Sequence, residues 1–477
     1  MPTDEESRYE RVPIPEESSA ERLTTFGELL HPYTLDQAVL EAQRCLQCEM
    51  PFCVQACPIA QDCRGYIHAL SLRDADGAAK ITLRENPLAT TLCKTCYHFC
   101  EDACVMKDRG APIAIRHLKR AAMELGASNL LYVPSAPVAQ RIAVVGTGPA
   151  GLMAAWELCL RGYAVTIFDE EPYLGGQVVT IPKYHLDGNE IEIDVARFRQ
   201  FDLTFRMSTR VGRDVSIADL LGQGYRAVYL AVGSADHRSL GVPGESLPGV
   251  VPAINLLREV NEGPPAALGR RIVVIGGGDV AMDAIRSARR LAPGASVTVV
   301  YHRTEAAMPA GEEERDGAKA EGVAFLFERA PMRILGTNGV EGLEVRRVAE
   351  GPPAPSGRPT VTTVLGSEET IPCDTVILAV GEVPDLSGFP PELDLGKGPG
   401  GWPQGKRADT MTGVPGVFAS GGRSIVHAMA AGTRSAEAVD AYLRAQAGLP
   451  PTPRPDPLGE GVPFRLPKGY GGPTWQP

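Results

Sequence analysis

Outside one short stretch, this chain has almost no cysteine. Nine of its eleven cysteines fall between Cys45 and Cys104, and only Cys159 and Cys373 lie elsewhere. That distribution excludes a disulfide framework spread over the fold. It also leaves the last two-thirds of the chain without a CxxC pair for dithiol chemistry. Basic runs are scarce as well. Lys and Arg number 47 against 58 Asp and Glu, for a net charge of −11. This balance argues against nucleic acid or an anionic membrane as a partner. No apolar stretch approaches the roughly 20 residues that cross a bilayer. The opening Met1-Pro2-Thr3-Asp4-Glu5-Glu6-Ser7 is acidic, with no apolar run behind it, and does not read as a signal peptide. The expectation is a cytoplasmic protein without membrane insertion. In a reducing compartment, crowded cysteines point to metal rather than disulfides.

What is there in place of these features is glycine at marked spacings. The chain is organised around Arg141-Ile-Ala-Val-Val-Gly146-Thr-Gly148-Pro149-Ala150-Gly151. Residues 142–145 read as a short buried strand, and 152–162 as the helix that follows. In GxGxxG spacing the first glycine permits a tight turn, the second admits a pyrophosphate, and the third brings the helix against the strand. A second strand over 164–168 ends at Asp169, 18 residues beyond Gly151 and beside Glu170, which suits a ribose hydroxyl. Gly175-Gly176-Gln177 then offers backbone for close ligand approach. Another buried strand over 226–232 ends at Gly233 and Ser234.

The fingerprint repeats. Arg271-Ile-Val-Val-Ile275 leads into Gly276-Gly277-Gly278-Asp279-Val280-Ala281 and a helix through Arg290. Here a strand over 296–300 runs into Tyr301-His302-Arg303, with no acid at its end. Basic side chains in place of the acid favour a 2′-phosphate, hence NADP over NAD. An ordinary solvated strand end is the plain alternative for His302 and Arg303. A strand over 375–380 closes this unit at Gly381, and a late strand enters a turn at Gly421-Gly422, followed by a helix over about 427–445. Segments 132–140 and 261–268 read as linkers, and 351–359 as a surface loop.

At 477 residues the chain is too long for one core, and about three domains are expected. Residues 1–35 form a polar arm, poorly ordered unless something receives it. From Thr34, a plausible N-cap, a helix delivers Cys45-Leu-Gln-Cys48, then Cys53, Cys57-Pro58 and Cys63. This resembles the ferredoxin run CxxCxxCxxxCP with two extra residues. A second group, Cys93, Cys96, Cys100 and Cys104, lies about 40 residues on. The short spacers suit loops wrapped round two iron–sulfur clusters. Zinc is the rival reading, which the Cys-Pro and the crowding disfavour.

Taken together, the paired fingerprints and the cysteine groups resemble the two-dinucleotide-binding-domain flavoproteins, and within them the glutamate synthase small-subunit family. Its relatives include the NADPH-reducing half of dihydropyrimidine dehydrogenase and the large subunit of NADH-dependent ferredoxin:NADP oxidoreductase. The resemblance rests on CLQCEMPFCVQACP, GTGPAGL, GGGDVAMDAIRSARRL, VYHRTEAAMPA and VFASGG. It implies an α/β protein with two Rossmann-like domains, the nicotinamide domain inserted in the FAD domain, behind an α-helical iron–sulfur domain. The expected divisions are 1–131 (iron–sulfur), 141–262 and 386–446 (FAD), 269–385 (nicotinamide) and a proline-rich tail, 447–477.

The resemblance implies FAD at Gly146, Gly148, Pro149, Ala150, Gly151, Asp169, Glu170, Gly176, Gln177, Gly233, Gly421 and Gly422. It implies NADPH or NADH at Gly276, Gly278, Asp279, Val280, His302, Arg303 and Gly381. Of two 4Fe–4S clusters, Cys45, Cys48 and Cys53 would serve one, and Cys57, Cys96, Cys100 and Cys104 the other. The chain departs from the family at three points. Lys119 stands where a Glu or Gln ligand to the first cluster is usual, leaving Cys93, Cys63 or His117 as substitutes. The Cys96–Cys100 spacing is short, and Gly422 replaces an acid that contacts the flavin. The implied function is a FAD-dependent NAD(P)H oxidoreductase passing electrons to or from a partner catalytic subunit in a hetero-oligomeric complex. Glutamate synthase small subunit proper is the alternative. No side chain is assigned a catalytic role, since the cofactors carry the chemistry. A dithiol reductase of thioredoxin reductase type fails for want of a CxxC within the nucleotide domains, where only the isolated Cys159 and Cys373 lie, and a cofactor-bearing scaffold sits poorly with two intact glycine motifs.

Overall fold

The computed structural model describes residues 9–127, 130–234, 236–263, 267–353, 359–397 and 402–458. The helical part comprises α1 (Leu35–Gln43), α2 (Phe52–Ala56), α3 (Cys63–Ser71), α4 (Ala75–Glu85), α5 (Ala89–Thr95) and α6 (Ile115–Leu125). Thr34 caps α1 as its sequence suggests: its hydroxyl accepts from Gln37 N and the Gln37 side chain returns the bond, satisfying two otherwise orphan donors. Several cysteines lie on helices rather than loops: Cys53 on α2, Cys63 at the start of α3, and Cys93 on α5.

Two parallel sheets follow. The first joins β1 (Arg141–Val145), β2 (Ala164–Phe168), β3 (Leu203–Arg206) and β4 (Tyr225–Leu230). The second joins β5 (Val250–Pro252), β6 (Arg271–Ile275), β7 (Ser296–Val300) and β8 (Ala324–Leu326). A three-stranded antiparallel sheet is made of β9 (Arg329–Leu335), β10 (Gly342–Pro353) and β11 (Pro359–Pro372), after which the chain re-enters the parallel sheets through β12 (Thr375–Leu378) and β13 (Val417–Ala419). The orders are β13-β4-β1-β2-β3 and β5-β12-β6-β7-β8. The second sheet therefore lies, in sequence, between strands of the first. Apart from their first residues, the RIAVV and RIVVI segments are buried throughout. Strands covered on both faces need such unbroken apolar runs.

Helix α7 (Pro149–Leu160) crosses the first sheet and packs on the last helix, α8 (Ile425–Gln446). Their approach is close: a Cβ on Gly432 would come within 2.2 Å of Ala150 O. Trp156 is fully buried beside Tyr132, with ring centroids 4.6 Å apart.

Both ends of the described chain are held down. Val12 N and Ala114 N each donate to the buried Glu41 carboxylate at 2.8 Å, and Arg11 reaches Glu101 at 2.6 Å. The expected poorly ordered arm thus has a receiving surface over residues 9–35; residues 1–8 lie outside the description. At the other end Thr452 N bonds Asp440 at 2.7 Å, Arg454 pairs with Glu157 at 2.8 Å, and Asp456 pairs with Arg84. The tail beyond 458 lies outside the described residues, as do 264–266 of the second linker and 354–358 of the expected surface loop.

Candidate functional site

The glycines of the first fingerprint behave as three different devices. Gly146 has φ +109°, and a Cβ there would sit 2.3 Å from Ala231 O. At Gly151 a Cβ would meet Gly146 O at 1.9 Å, so only glycine lets α7 lie this close to β1. Around Gly148, by contrast, the Cβ position is open, with no atom within 4 Å. Gly278 in the second fingerprint is equally open. These are cradles that a methyl group would fill, each at the N-terminus of a helix, where backbone N–H groups favour an anion.

One cavity of about 970 Å³ joins these elements. Its wall takes in Gly146, Gly148, Pro149, Ala150, Asp169, Glu170, Gly176, Gln177 and Gly233, and also Gly421 and Gly422. Asp279 and Val280 close another side. Asp169 is buried, and its Oδ2 accepts from Thr147 N at 2.7 Å and Thr147 Oγ1 at 2.6 Å. Glu170 pairs with Arg210 at 2.7 Å. The Gln177 amide donates to Ser234 O. At Gly422 a Cβ would come within 2.3 Å of Ala428 N, because the turn presses on the start of α8. No side chain fits there, which gives the missing acid a steric reason.

Six expected nucleotide-site residues, Gly151, Gly276, Gly278, His302, Arg303 and Gly381, are not part of this cavity wall. His302 and Arg303 lie beyond β7, and Arg303 Nη1 donates to Pro359 O at 2.8 Å. Gly381 follows β12 with φ +107°. Gly276, with φ +150°, is pressed against Ala379 O, 2.2 Å from where a Cβ would be.

Residues of the second cysteine group reach the same cavity. Cys96, Tyr97, His98 and Phe99 form part of its wall, and Tyr97 Oη donates to Asp279 Oδ2 at 2.7 Å. Arg116 on α6 bridges Cys96 O at 3.2 Å and Glu313 at 2.8 Å. Between the two cysteines, His98 adopts left-handed backbone, φ +43°, a conformation a non-glycine residue holds only under outside constraint. Phe99 meets the His427 ring edge-on at 5.2 Å. Trp402 packs over Gly421 and also faces the cavity. Sequence reading passed over Tyr97, Phe99 and Trp402; the available signal was an aromatic set between cysteines or against glycines.

The cysteines divide differently from the expected partition. Cys45, Cys48, Cys53 and Cys104 line one small apolar-walled pocket with Phe52, Ile67 and Met106. Cys104 therefore joins the first group, not Cys57, Cys96 and Cys100. The reason is topological: the chain turns after Cys100 and lays residues 103–106 across α2 and α3. Lys119 on α6 is buried, and Cys96, Cys93, Cys57 and Cys100 favour its charged form. Burial opposes charge on Lys119, but these four sulfurs outweigh it and its pKa moves up. Burial also pushes Cys45 and Cys93 up to about 12 and Cys57 to about 11. Such thiols are poor bare nucleophiles at neutral pH, and a metal centre is what would draw them out as thiolates. Two sets of four soft donors fit iron–sulfur centres. Cys63 is buried, and Cys100, Cys53 and burial together push its thiol pKa up.

Comparison with known proteins adds to this geometry. Residues 140–436 match the family described as pyridine nucleotide-disulphide oxidoreductase, and residues 22–130 that described as dihydropyrimidine dehydrogenase domain II, 4Fe-4S cluster. The glutamate synthase [NADPH] small chain of Halomonas elongata is 34% identical over 76% of this chain and 80% of its own length. That of Escherichia coli is 31% identical over 91% and 97%. The NADP(+)-dependent formate dehydrogenase subunit beta of Moorella thermoacetica is 35% identical over 82% of this chain, but the match spans only 60% of that protein. A solved structure of Mycobacterium tuberculosis FprA in complex with NADPH shares the fold, at TM-score 0.54 and 20% identity, over 67% of this chain and 88% of its own. No helix among the described residues is long and apolar enough to cross a membrane.

Proposed function

The chain belongs to the pyridine nucleotide-disulphide oxidoreductase family, among the members that resemble glutamate synthase small chains, and from this premise we propose that it is the NAD(P)H-handling electron-transfer subunit of a larger oxidoreductase. The observation that carries the reading is the shared cavity. The Gly146–Ala150 cradle, the Asp279–Val280 helix start and the Cys96–Phe99 segment open onto one space.

In this reading Gly146, Gly148, Pro149, Ala150, Gly151, Asp169, Glu170, Gly176, Gln177, Gly233, Gly421 and Gly422 hold FAD. The nicotinamide dinucleotide takes Gly276, Gly278, Asp279, Val280 and Gly381, with His302 and Arg303 toward a 2′-phosphate. Cys45, Cys48, Cys53 and Cys104 hold one 4Fe–4S cluster, and Cys57, Cys93, Cys96 and Cys100 a second. When bound, these groups supply hydride and single-electron chemistry that no side chain here can provide. The chain's own part is to bind and orient. Backbone N–H groups at the starts of α7 and of the helix over 279–291 would take the pyrophosphates, and Asp169 a ribose hydroxyl. The expected division at 131, 141, 269 and 386 places one cofactor class in each part.

One of the relatives described above is named as a beta subunit and two as small chains. We therefore infer a hetero-oligomeric partner that consumes or supplies electrons. The near full-length match to the Escherichia coli glutamate synthase small chain favours, as second reading, a glutamate-forming large chain as that partner. Anaerobic purification with bound chains identified, followed by NAD(P)H-dependent dye reduction, tests both. Protein loaded with flavin and iron that reduces no dye would sink the electron-transfer reading.

A further inference from the structure

The cavity that joins the two fingerprints has an acidic wall. Thirteen Asp and Glu residues line it against seven Lys and Arg, so the wall as a whole does not welcome a diphosphate. Most of its cations are already committed. Arg11, Lys94, Lys107, Arg116 and Arg210 each pair with a carboxylate at 3.6 Å or less. Arg258 and Arg423 pair with none among the described residues. Arg423 is exposed, but Arg258 is half-buried, and its Nε has neither a hydrogen-bond partner nor access to solvent.

Arg258 sits on the helix Ala253–Glu262, which belongs to neither glycine fingerprint. Ile254, Leu257 and Arg258 line the cavity, at the spacing of one helix face. Asn261, one turn beyond Arg258, fastens that face: its Nδ2 donates to Val179 O and Ile181 O, both at 2.7 Å. Gly176, at the start of the turn so gripped, abuts the first cradle, for a Cβ on it would stand 3.2 Å from Gly148 Cα. The helix therefore brings Arg258 to the Gly148 side of the cavity. At the other helix start stands Asp279, a carboxylate already engaged by Tyr97 Oη and Gly311 N. A charged donor kept from water without an acceptor costs free energy unless an anion meets it. The guanidinium fork matches two phosphate oxygens at once.

We infer that Arg258 is a pyrophosphate-binding residue, taking the phosphates of the FAD seated at the Gly148 cradle. The N-terminus of α7 supplies only a partial positive charge to that cradle. Asp169 stands on the same wall and opposes an anion. Arg258 supplies the full charge that offsets it, from a helix that no glycine motif marks. The inference rests on the proposed FAD site and adds to it one residue outside both fingerprints.

The test uses the full chain, purified anaerobically as wild type, Arg258→Gln, Arg258→Met and Arg258→Lys. Dissociation constants are measured by equilibrium dialysis for three probes: FAD, riboflavin, which has no phosphate, and NADP+. Thermal melts without added flavin report the fold. Both neutral variants should bind FAD about tenfold more weakly, the scale of one charge-assisted contact to phosphate. The lysine variant should fall between them and wild type, because it keeps the charge and loses the fork. Riboflavin and NADP+ binding, and the melts, should not move. Neutral variants that hold FAD as wild type does overturn the inference. So does an equal loss of riboflavin, which would make Arg258 a structural support, and so does a loss confined to NADP+, which would assign it to the other dinucleotide. Lowered melts in every variant, lysine included, overturn it as well. Wild-type protein that binds no FAD would instead sink the underlying FAD reading, leaving the two failures distinguishable.

Discussion

Tyr97 Oη donates to Asp279 Oδ2 at 2.7 Å, joining the residue after Cys96 to the residue after Gly278. The same carboxylate accepts Gly311 N at 3.0 Å through Oδ1. One aspartate thus ties a cysteine segment to the start of a dinucleotide-binding helix. Tyr97→Phe removes only this bond. It should weaken NADP(H) binding by about fivefold, the worth of roughly 1 kcal/mol for one partly exposed hydrogen bond, while iron content holds. Titration of bound nucleotide by protein fluorescence reads this directly. An unchanged dissociation constant would mean that the contact is idle.

The three glycines of the first fingerprint should fail in different ways. Gly148→Ala places a methyl in open space. The fold should survive with flavin content down by about tenfold, because the methyl occupies the phosphate's approach. Gly151→Ala drives a Cβ to 1.9 Å from Gly146 O and should destabilise the apoprotein itself. Gly278→Ala should keep flavin and lose nicotinamide affinity. Flavin absorbance, nucleotide binding and thermal melts of the three variants separate these outcomes, and identical profiles would contradict the division of roles.

Cys104→Ser should remove the same EPR signal as Cys45→Ser, since the two thiols share a pocket. Cys100→Ser should remove the other. Cys63→Ser should leave the iron content intact. If Cys104→Ser and Cys100→Ser abolish one common signal, the division by geometry is wrong.

Arg303 keeps guanidinium donors beyond the one given to Pro359 O. Arg303→Ala should cut the NADPH over NADH preference in kcat/KM by about tenfold, roughly 1.4 kcal/mol for one charge-assisted contact to a phosphate. A preference that does not move would return this strand end to ordinary solvated surface.

Asp283 lies 3.5 Å from His185 and near Glu314, and burial pushes its carboxyl up to about 7. In the unfolded chain it titrates near 4. A group raised on folding gives its full stabilisation below the unfolded value and loses it as pH climbs to the folded one. Its contribution should therefore fall between about pH 4 and pH 7, then level off. Asp283→Asn should flatten that decline, with a relative gain of about 1–2 kcal/mol at pH 8 against pH 5. Denaturant melts across this range check the sign; a steeper decline in the variant would refute it.

Much of this was legible from residues alone. RIAVV and RIVVI announce buried parallel strands because both faces of such strands are covered. Gly146, Gly148 and Gly151 carry their roles in their spacing, since turn, approach and packing are local demands. Thr34 with Gln37 marks a helix start for the same reason. Sequence also showed nine of the eleven thiols crowded between Cys45 and Cys104, a pattern that favours metal over disulfides.

Tertiary structure alone decided which thiols meet. The family resemblance grouped Cys104 with Cys57, Cys96 and Cys100, whereas the turn after Cys100 carried it to Cys45, Cys48 and Cys53. It also decided that Lys119 is buried rather than in solvent, that Gly422 has no room for an acid, and that Tyr97 meets Asp279 from 182 residues away. Local conformation is set by neighbours within a few positions, which sequence displays. Contacts between distant segments depend on how whole helices and sheets pack, and no short motif encodes that.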